Sequence, residues 1–365
     1  MKLLQELKKI AGELREEGDK AELTGVLTDK QLTYIYANRL FNLFVPESLG
    51  GLNLSLIEAL RVEQLLAEID GSLGWTVTLC SGANMFVGFL DQDIAQVLFN
   101  DSKVCFGGSG RPSGRAEITP EGYLISGKWQ FATGAPHNTV FTANCEIYQN
   151  GRPVLNEVKE PTVSSFFFLR EEVVIIHEWD TMGLKATASH SFEVNRLHVN
   201  KHRAFKIDPE YTVLKNPIFR YPFQQFAEVT LCVNSLGMTM RFLDLCNQIF
   251  DERYKCTATD FRELLPCRYL SNAKREMEHL QYHLYNLVET SWGQLNDTNS
   301  INPFILKEIS VSSRQLVQKA QQWISLLYPY CGMKAAKPSE EINRVWRNLF
   351  TASQHSLLIT PVVDN

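Results

Sequence analysis

Apolar positions recur every three or four residues over much of the chain, whereas the middle third alternates between apolar and polar positions. The first pattern is typical of amphipathic helices and is clearest in 54–66 and 75–90, so residues 1–102 are predicted to form an N-terminal α-helical domain. In 103–208, short runs rich in Val, Ile, Phe and Thr are separated by Gly, Pro and Asn turns. This spacing predicts antiparallel strands and a central β domain.

The helical periodicity returns in 209–365, where long apolar-periodic segments are joined by short connections. Long helices with short connections favour an antiparallel arrangement, so a C-terminal four-helix bundle is predicted. Its helices are expected at 223–254, 260–292, 303–327 and 339–359. The expected fold is therefore α+β and multidomain, with helices first, then a β-barrel or sandwich, then the bundle.

Composition narrows the possible partners. With 44% hydrophobic residues over 365 positions, the chain can build a packed core, which excludes a disordered protein. The 36 Lys and Arg against 41 Asp and Glu give a net charge of -5 without a long cationic run, so nucleic acid is not an expected partner. No apolar stretch is long enough to cross a bilayer, and the first 25 residues are typical of an amphipathic helix rather than a targeting leader. A cytoplasmic protein without a membrane partner is expected.

The eight cysteines are scattered and contain no C-x-x-C pair, and no histidine stands at zinc-ligand spacing from them. They are Cys80, Cys105, Cys145, Cys232, Cys246, Cys256, Cys267 and Cys331. We therefore expect buried thiols in a reducing compartment and no metal site.

Three segments resemble the acyl-CoA dehydrogenase superfamily and occur in the family's order. The first is PESLGGLNLSLIEALRVEQLLAEIDGSLGW, with the Pro-Glu-x-x-Gly-Gly turn that leads into a helix. The second is GRPSGRAEITPEGYLISGKWQFATG, similar to the flavin-facing strand pair, and the third is WDTMGLKATASHSFEVNRLHVNKHRAF, which resembles the end of the middle domain. The resemblance implies the three-part fold, a flavin between domains and near a subunit contact, and assembly as a homotetramer or dimer.

A flavin needs donors at its pyrimidine edge and an aromatic or apolar wall at one face. Trp129, Phe131 and Thr133 alternate along a predicted strand, so they are expected on one face, supplying wall and hydroxyl together. The resemblance implies that Thr133 and Gly134 contact the flavin and that Ser109 provides a second hydroxyl contact. The alternative is that Trp129 and Phe131 are core aromatics and Thr133 is a turn residue.

Dehydrogenation of an acyl-CoA requires a carboxylate base beside the flavin. Most of the superfamily carries this Glu in the final helices, but the corresponding stretch RVWRNLFTASQHSLL has no carboxylate. A minority takes the base from the first bundle helix, where Glu228 lies nearby. Counted back from Gly237, however, Ala227 is in register and Glu228 is rotated by about 100° on a helix. Glu228 is thus a weak candidate for the base.

The same stretch resembles the superfamily's flavin-dependent monooxygenase branch, the two-component aromatic or thiophene hydroxylases. Arg344, Trp346 and Arg347 match that branch's Arg-x-Trp-Arg, Asn348 stands where it has Asp, and His355 falls on its substrate-facing histidine. A neutral His355 imidazole is suited to deprotonating a phenol or stabilising a flavin hydroperoxide. The alternative is a histidine that caps or packs within the last helix.

Other site residues follow from the resemblance. Arg347 and Thr351 are expected to contact the cofactor, and Ser81 and Asn84 are the polar residues expected at the substrate, in a stretch without the second histidine common in those hydroxylases.

The adenosine-diphosphate grip of the dehydrogenases is not recognisable, because DERYKCTATDFRELLPCRYL lacks their Arg-x-x-Phe-Gly. Reduced FMN needs fewer phosphate contacts, for which Arg111, Arg115 and Arg268 are candidates.

The expected function is that of a flavin-dependent oxidoreductase, and the monooxygenase interpretation is preferred. Reduced FMN or FADH2 from a separate flavin reductase would react with oxygen, and the flavin hydroperoxide would transfer an oxygen atom to a small aromatic or heteroaromatic substrate. One alternative is an FAD-dependent acyl-CoA dehydrogenase with a non-standard base. A second is a catalytically inactive homologue that binds flavin or an acyl group.

Overall fold

The computed structural model describes residues 2–256 and 264–359 and begins with a helical region. Its helices are α1 (Lys2–Thr24), α2 (Asp29–Ala37), α3 (Leu56–Ile69), α4 (Gly71–Asn84) and α5 (Gln92–Phe99). N-cap side chains determine where α3 and α4 start. Ser55 and Glu58 form a capping box at α3, and the Asp70 carboxylate accepts a hydrogen bond from the backbone N–H of Leu73 at 2.9 Å.

The helix predicted over 75–90 starts earlier and ends earlier than expected. Asp70 caps it at Gly71, and α4 ends at Asn84, where a short 3-10 helix, Met85–Phe89, continues the chain. This shift leaves one face of α4 pointing at the middle of the protein, where the strands begin.

The strands follow between Phe106 and Phe205. They are β1 (Phe106–Thr119), β2 (Gly122–Ala132), β3 (Val140–Gln149), β4 (Arg152–Pro153), β5 (Val163–Leu169), β6 (Val174–Ile176), β7 (His190–Asn200) and β8 (Ala204–Phe205). They form a sheet in the order β6-β7-β2-β1-β3-β5-β8, with β4 paired to β3. The expectation of antiparallel strands is wrong for one pair, because β1 and β3 run parallel.

The sheet curls around its own core. Rings on strands that are not neighbours in the sheet meet across the interior: Trp129 of β2 lies 5.8 Å from Phe168 of β5, and Phe141 of β3 lies 4.9 Å from Phe192 of β7. Contacts of this kind require a strongly curved sheet, in accord with the predicted barrel or sandwich.

Four long or medium helices complete the described chain. They are α6 (Phe223–Tyr254), α7 (Leu265–Thr298), α8 (Pro303–Leu327) and α9 (Glu341–Ala352). The limits predicted for the first and third of these helices are confirmed at both ends, and α6 packs against the other three. The start predicted at 260 lies outside the described residues, and α9 is shorter than predicted because the chain leaves the helix after Ala352.

The predicted order of N-terminal helices, central β domain and C-terminal helices is confirmed by these elements, while the exact domain limits stay a prediction. No helix among the described residues is long and apolar enough to span a membrane.

The expectation of eight thiols is wrong for one pair. Cys256 and Cys267 form a disulfide, with Cα atoms 5.3 Å apart, and the other six cysteines are free and buried. Cys256 lies just after the end of α6 and Cys267 lies in the first turn of α7, and their spacing forms no motif.

Candidate active site

A cleft of about 260 Å³ lies where the helical regions meet the sheet. Its walls come from α4, the starts of β1 and β3, the end of β2, the first turns of α6, and the segment after α9. Several aromatic side chains line it, namely Phe86, Phe131, Phe205, Phe223 and Phe226. The cleft is therefore largely apolar and set between elements distant in sequence, as small-molecule sites commonly are.

Thr78 and Gly82 of α4 and Phe86 of the following 3-10 helix line the cleft at four-residue spacing. The two polar residues predicted for the substrate, Ser81 and Asn84, do not line the cleft but are fully buried on other faces of the helix.

Ser81 and Asn84 are used by the fold instead. The Ser81 hydroxyl donates to Glu63 at 3.3 Å, and burial raises the pKa of this carboxyl despite that hydrogen bond. Asn84 accepts from the Phe106 N–H at 2.7 Å and donates to Asn42 at 2.5 Å, so it fixes the start of β1 to the helices.

The predicted common face of Trp129, Phe131 and Thr133 is wrong. The pairing of β2 with β7 shifts register between Trp129 and Ala132, and Phe131 has a left-handed backbone with φ of 68°. This irregularity interrupts the alternation of the strand. As a result, Phe131 and Thr133 line the cleft, but Trp129 points into the sheet core.

Trp129 has the alternative role of a core aromatic. Its ring is fully buried, stacks on Phe192 at 5.1 Å and donates its N–H to the Asn144 carbonyl at 2.9 Å.

The floor of the cleft on the sheet side is a glycine-rich stretch, Gly107, Gly108, Ser109 and Gly110. The predicted Ser109 is therefore part of the cleft. A Cβ at Gly108 would lie 1.9 Å from the Thr142 carbonyl oxygen, so only glycine permits this close approach of β1 to β3.

Three hydroxyls form a directed chain that ends at the cleft. Thr187 donates to the Leu184 carbonyl at 2.8 Å, so its oxygen must accept from Ser189, also at 2.8 Å. The Ser189 proton is thereby used, and the 2.9 Å contact with Thr133 must be a donation from Thr133. Thr133 consequently offers lone pairs, not a proton, to the cleft.

The loop behind this chain is tied to α9. Asn348 accepts the Leu184 N–H at 2.7 Å, and a Cβ at Gly183 would lie 2.2 Å from the Arg347 carbonyl oxygen. The predicted Gly134, with φ of 74°, donates its N–H to the Thr187 carbonyl at 2.8 Å. The loop, the end of β2 and α9 therefore position the hydroxyl chain together.

Helix α6 lines the cleft with Ala227 and turns Glu228 away from it. The Glu228 carboxylate is fully buried, lies 2.5 Å from the Arg314 guanidinium and accepts hydrogen bonds from Gln224 and Ser310. As the one-residue offset in the sequence indicated, Ala227 faces the cleft and Glu228 does not.

His355 lies just after α9 and lines the cleft. Its Nδ1 accepts the Leu357 N–H at 3.3 Å, so the neutral ring carries its proton on Nε2. Burial lowers the pKa of His355, which favours this neutral form. Nδ1 of His355 therefore caps the short 3-10 helix Ser356–Leu358 that follows α9, while the ring also lines the cleft.

The remaining basic and hydroxyl candidates are mostly outside the cleft. Arg347 binds Glu22 at 2.6 Å and also contacts the Met182 carbonyl, so it joins α1 to the loop before β7. Thr351 does not line the cleft, and its buried hydroxyl has no partner among the described residues.

Of the three arginines considered for phosphate, Arg111 lies beside the cleft, 5.7 Å from the Phe131 ring. Arg115 is paired with Glu117 at 2.7 Å, and Arg268 is exposed on α7.

Sequence reasoning missed Thr78 and Ser189, and it missed a group that the fold assembles behind the cleft wall. Cys80, Cys105 and His137 place their ligand-type atoms within 4.8 Å of one another. Burial acts to raise the pKa of Cys80, but hydrogen bonding with Cys105 and the proximity of His137 outweigh it and bring the pKa to about 6. The four-residue spacing from Thr78 to Phe86 was a usable signal, whereas nothing in the spacing of the cysteines indicates their contact.

Comparison with known proteins gives matches over most of the chain. The family described as acyl-CoA dehydrogenase, C-terminal domain, matches residues 229–359. Indole-3-acetate monooxygenase from Pseudomonas putida is 23% identical over 324 residues, which are 88% of this chain and 81% of that protein. The flavin-dependent monooxygenase, oxygenase subunit HsaA, of Rhodococcus jostii (strain RHA1) is 24% identical over 243 residues, 64% of this chain and 62% of that protein.

A solved structure shares the whole fold. XiaF from Streptomyces sp., in complex with FADH2 and glycerol, superimposes with a TM-score of 0.87 at 19% identity, covering 98% of this chain and 91% of that chain. The two chains therefore arrange their helices and sheet alike from end to end.

Proposed function

We propose that this chain, which belongs to the acyl-CoA dehydrogenase superfamily, is the oxygenase component of a two-component flavin-dependent monooxygenase that acts on a small aromatic or heteroaromatic substrate. The resemblance seen in the sequence is confirmed by the matching family and relatives.

The observation that carries the proposal is the identity of the titratable group at the cleft. Among the described residues that line it, His355 is the single titratable side chain, and no carboxylate is present. Dehydrogenation of an acyl-CoA needs a carboxylate base, whereas oxygen transfer to an aromatic ring needs a group that handles a proton near neutrality. Glu228 is unsuited to the first role because Arg314 and Ser310 occupy its oxygens.

The cleft residues fit a flavin ring. The glycine stretch of β1 gives a flat floor, Phe131 gives an aromatic wall, and Ser109 and Thr133 give polar contacts at the edge. Arg111, beside Phe131, forms no ion pair within the described ranges and is available for a phosphate. Reduced flavin, when bound, supplies the electrons that activate dioxygen for transfer of one oxygen atom.

The directed hydroxyl chain favours the reduced cofactor. A reduced flavin carries an N–H at N5, which the oxidised ring lacks, and Thr133 offers an acceptor for an N–H at the cleft edge. This preference suits an enzyme that takes reduced FMN or FADH2 from a partner rather than keeping oxidised FAD.

The substrate is expected to pack among Phe86, which follows α4, and the phenylalanines at the start of α6. Phe86 and Phe223 lie 5.7 Å apart, and Phe223 stacks on Phe226 at 6.1 Å. Such a wall is suited to an aromatic ring. His355 presents Nε2–H to this space, where it donates to a phenolic oxygen and holds that oxygen in place during attack on the ring.

The partner is a flavin reductase, as the description of the Rhodococcus relative as an oxygenase subunit suggests. A homotetrameric or dimeric assembly, which the superfamily resemblance implies, and a cytoplasmic location, expected from the sequence pattern, complete the proposal.

The test is the absorption spectrum of the purified protein, followed by anaerobic titration with reduced and oxidised FMN and FAD. We expect a colourless protein that binds reduced flavin and, with a reductase, NADH and oxygen, hydroxylates phenols or indoles. Tightly bound FAD that an acyl-CoA bleaches would contradict the proposal. Failure to bind flavin in either redox state would also contradict the proposal and would favour an inactive homologue that binds an acyl group.

A further inference from the structure

We propose that Cys80, Cys105 and His137, with Asn138 as the fourth ligand, form a tetrahedral binding site for a thiophilic divalent metal of the Zn²⁺ class behind the wall of the cleft. The inference is independent of the proposed function, because it rests on side chains that do not line the cleft.

Three separate elements bring these ligands together. Cys80 comes from α4, Cys105 directly precedes β1, and His137 and Asn138 lie in the turn after β2. The sulfur and ring-nitrogen atoms all lie within 4.8 Å of one another. A metal here would join the N-terminal helices to the sheet.

The oxygen of Asn138 completes the coordination geometry. Asn138 Oδ1 lies 3.2 Å from Cys105 Sγ and 3.9 Å from Cys80 Sγ. For a tetrahedral zinc, ligand bonds of about 2.3 Å to sulfur and 2.1 Å to oxygen separate the two atoms by about 3.6 Å. The two observed distances bracket that value, so small side-chain shifts suffice to bind the ion.

The backbone is shaped to admit the two ligands of the turn. A Cβ at Gly134 would lie 2.6 Å from His137 Nε2, and a Cβ at Gly107 would lie 2.1 Å from Asn138 Nδ2. Phe41 stacks on the His137 ring at 5.5 Å with an interplanar angle of 10°. Glycine at both positions and the stacked ring fix the orientation of His137 and Asn138.

The group also has an unmet hydrogen-bonding requirement. His137 Nε2 is buried and has no hydrogen-bond partner among the described residues. Its neighbours Cys80, Cys105 and Asn138 are also buried, at most 1% exposed. A buried ring nitrogen without a partner costs free energy, and coordination to a metal satisfies it.

Charge and ligand type select the metal class. Two thiolates and a neutral imidazole cancel the charge of a divalent ion, so the loaded site is electrically neutral in its buried place. Thiolate and imidazole ligands in a tetrahedral set favour zinc over magnesium or calcium, which prefer oxygen ligands.

The test measures metal directly. The full chain, purified without chelator, is analysed for zinc by mass spectrometry and then, after chelation, titrated with Co²⁺ while thiolate-to-cobalt absorption is recorded. We expect about one metal per chain, and more than about tenfold weaker binding in Cys80→Ser, Cys105→Ser and His137→Gln. Cys145→Ser, which removes another buried free cysteine from the sheet core, is the matched control and should bind normally.

A second readout applies if the serine variants fold poorly. Zinc should protect Cys80 and Cys105 of the unmodified chain from alkylation in mild denaturant, as mapped by peptide mass spectrometry. Zinc-free protein without a cobalt spectrum would overturn the proposal. So would normal metal binding in the folded variants, or a Cys80–Cys105 disulfide in the protein as purified.

Discussion

The direction of the hydroxyl chain at the cleft predicts how the protein discriminates between flavin redox states. Thr133 donates to Ser189, which donates to Thr187, which donates to the Leu184 carbonyl. Replacing Ser189 with alanine removes the acceptor for the Thr133 proton. That proton is then free to turn into the cleft, where oxidised flavin presents a bare N5 acceptor.

The size of the effect follows from a single hydrogen bond. A neutral hydrogen bond contributes about 0.5 to 1.5 kcal/mol, and each 1.4 kcal/mol changes an equilibrium constant about tenfold. Ser189→Ala should therefore strengthen binding of oxidised flavin by about 2- to 12-fold. Binding of reduced flavin should change less, because Thr133 still offers a lone pair. The dissociation constant for oxidised flavin divided by that for reduced flavin should therefore fall by about the same factor.

The assay is anaerobic fluorescence titration with oxidised and reduced FMN, in parallel for the parent and the variant. Ser191→Ala is the matched control, since Ser191 lies two residues after Ser189, in β7, and donates to Glu178 instead of joining the hydroxyl chain. An unchanged ratio in folded Ser189→Ala, or an equal shift in Ser191→Ala, would refute the reasoning about proton direction.

Three further predictions concern residues around the cleft. His355→Ala should lower the rate of hydroxylation by about two orders of magnitude. In the parent protein, the rate should fall on the acidic side at a pH below the usual histidine pKa of 6.5, because burial lowers the pKa of His355. Because its pKa is lower in the folded protein, the neutral His355 contributes fully to the unfolding free energy above pH 6.5, and this contribution is lost as the pH falls through the lowered pKa. Acid unfolding of the parent and of His355→Gln measures this difference. Glu228→Gln should leave turnover within about threefold of the parent but lower the unfolding free energy by about 3 to 5 kcal/mol, because Arg314 loses its ionic partner. Denaturant unfolding measures the stability. A large loss of turnover at normal stability would make Glu228 part of the mechanism. Asn348→Ala should lower the unfolding free energy by about 1 to 3 kcal/mol and weaken flavin binding, because the Leu184 N–H loses its acceptor. Unchanged flavin binding would show that this loop does not position the site.

The long helices were predictable because their signal is local. The segment 223–254 repeats apolar residues every three or four positions throughout, and a helix with those limits forms. The same register argument anticipated that Ala227, not Glu228, would face the site. Helical geometry alone decides such a question, so the sequence suffices.

The strand-borne part of the site was less predictable because one irregularity reverses a face. Alternation places Trp129 and Phe131 together, but the register shift after Trp129 and the left-handed Phe131 separate them. The prediction for α4 is wrong for a related reason. Polarity alone favours Ser81 and Asn84, but the strands that approach α4 determine which helix face lines the cleft, and these strands are distant in sequence.

The thiol and imidazole group behind the wall was out of reach of spacing rules. Cys80, Cys105 and His137 are each more than twenty residues apart in the chain, and the fold alone makes them neighbours. Motif rules detect metal ligands when a single turn or hairpin carries a pair of them. Ligands contributed singly by a helix, a strand start and a turn leave no such trace.

The register of α6 explains how this fold can do without a carboxylate at the flavin while keeping one on the same helix. Successive helix residues are rotated by about 100°, so Ala227 and Leu231 share the cleft face while Glu228 points at α8. Once Arg314 pairs with Glu228, turning the carboxylate back into the cleft would leave a partly buried cation without its partner, which is unfavourable. In the proposed function, proton handling is therefore assigned to a residue from another element, His355, which the Leu357 backbone positions after α9 and which lines the cleft.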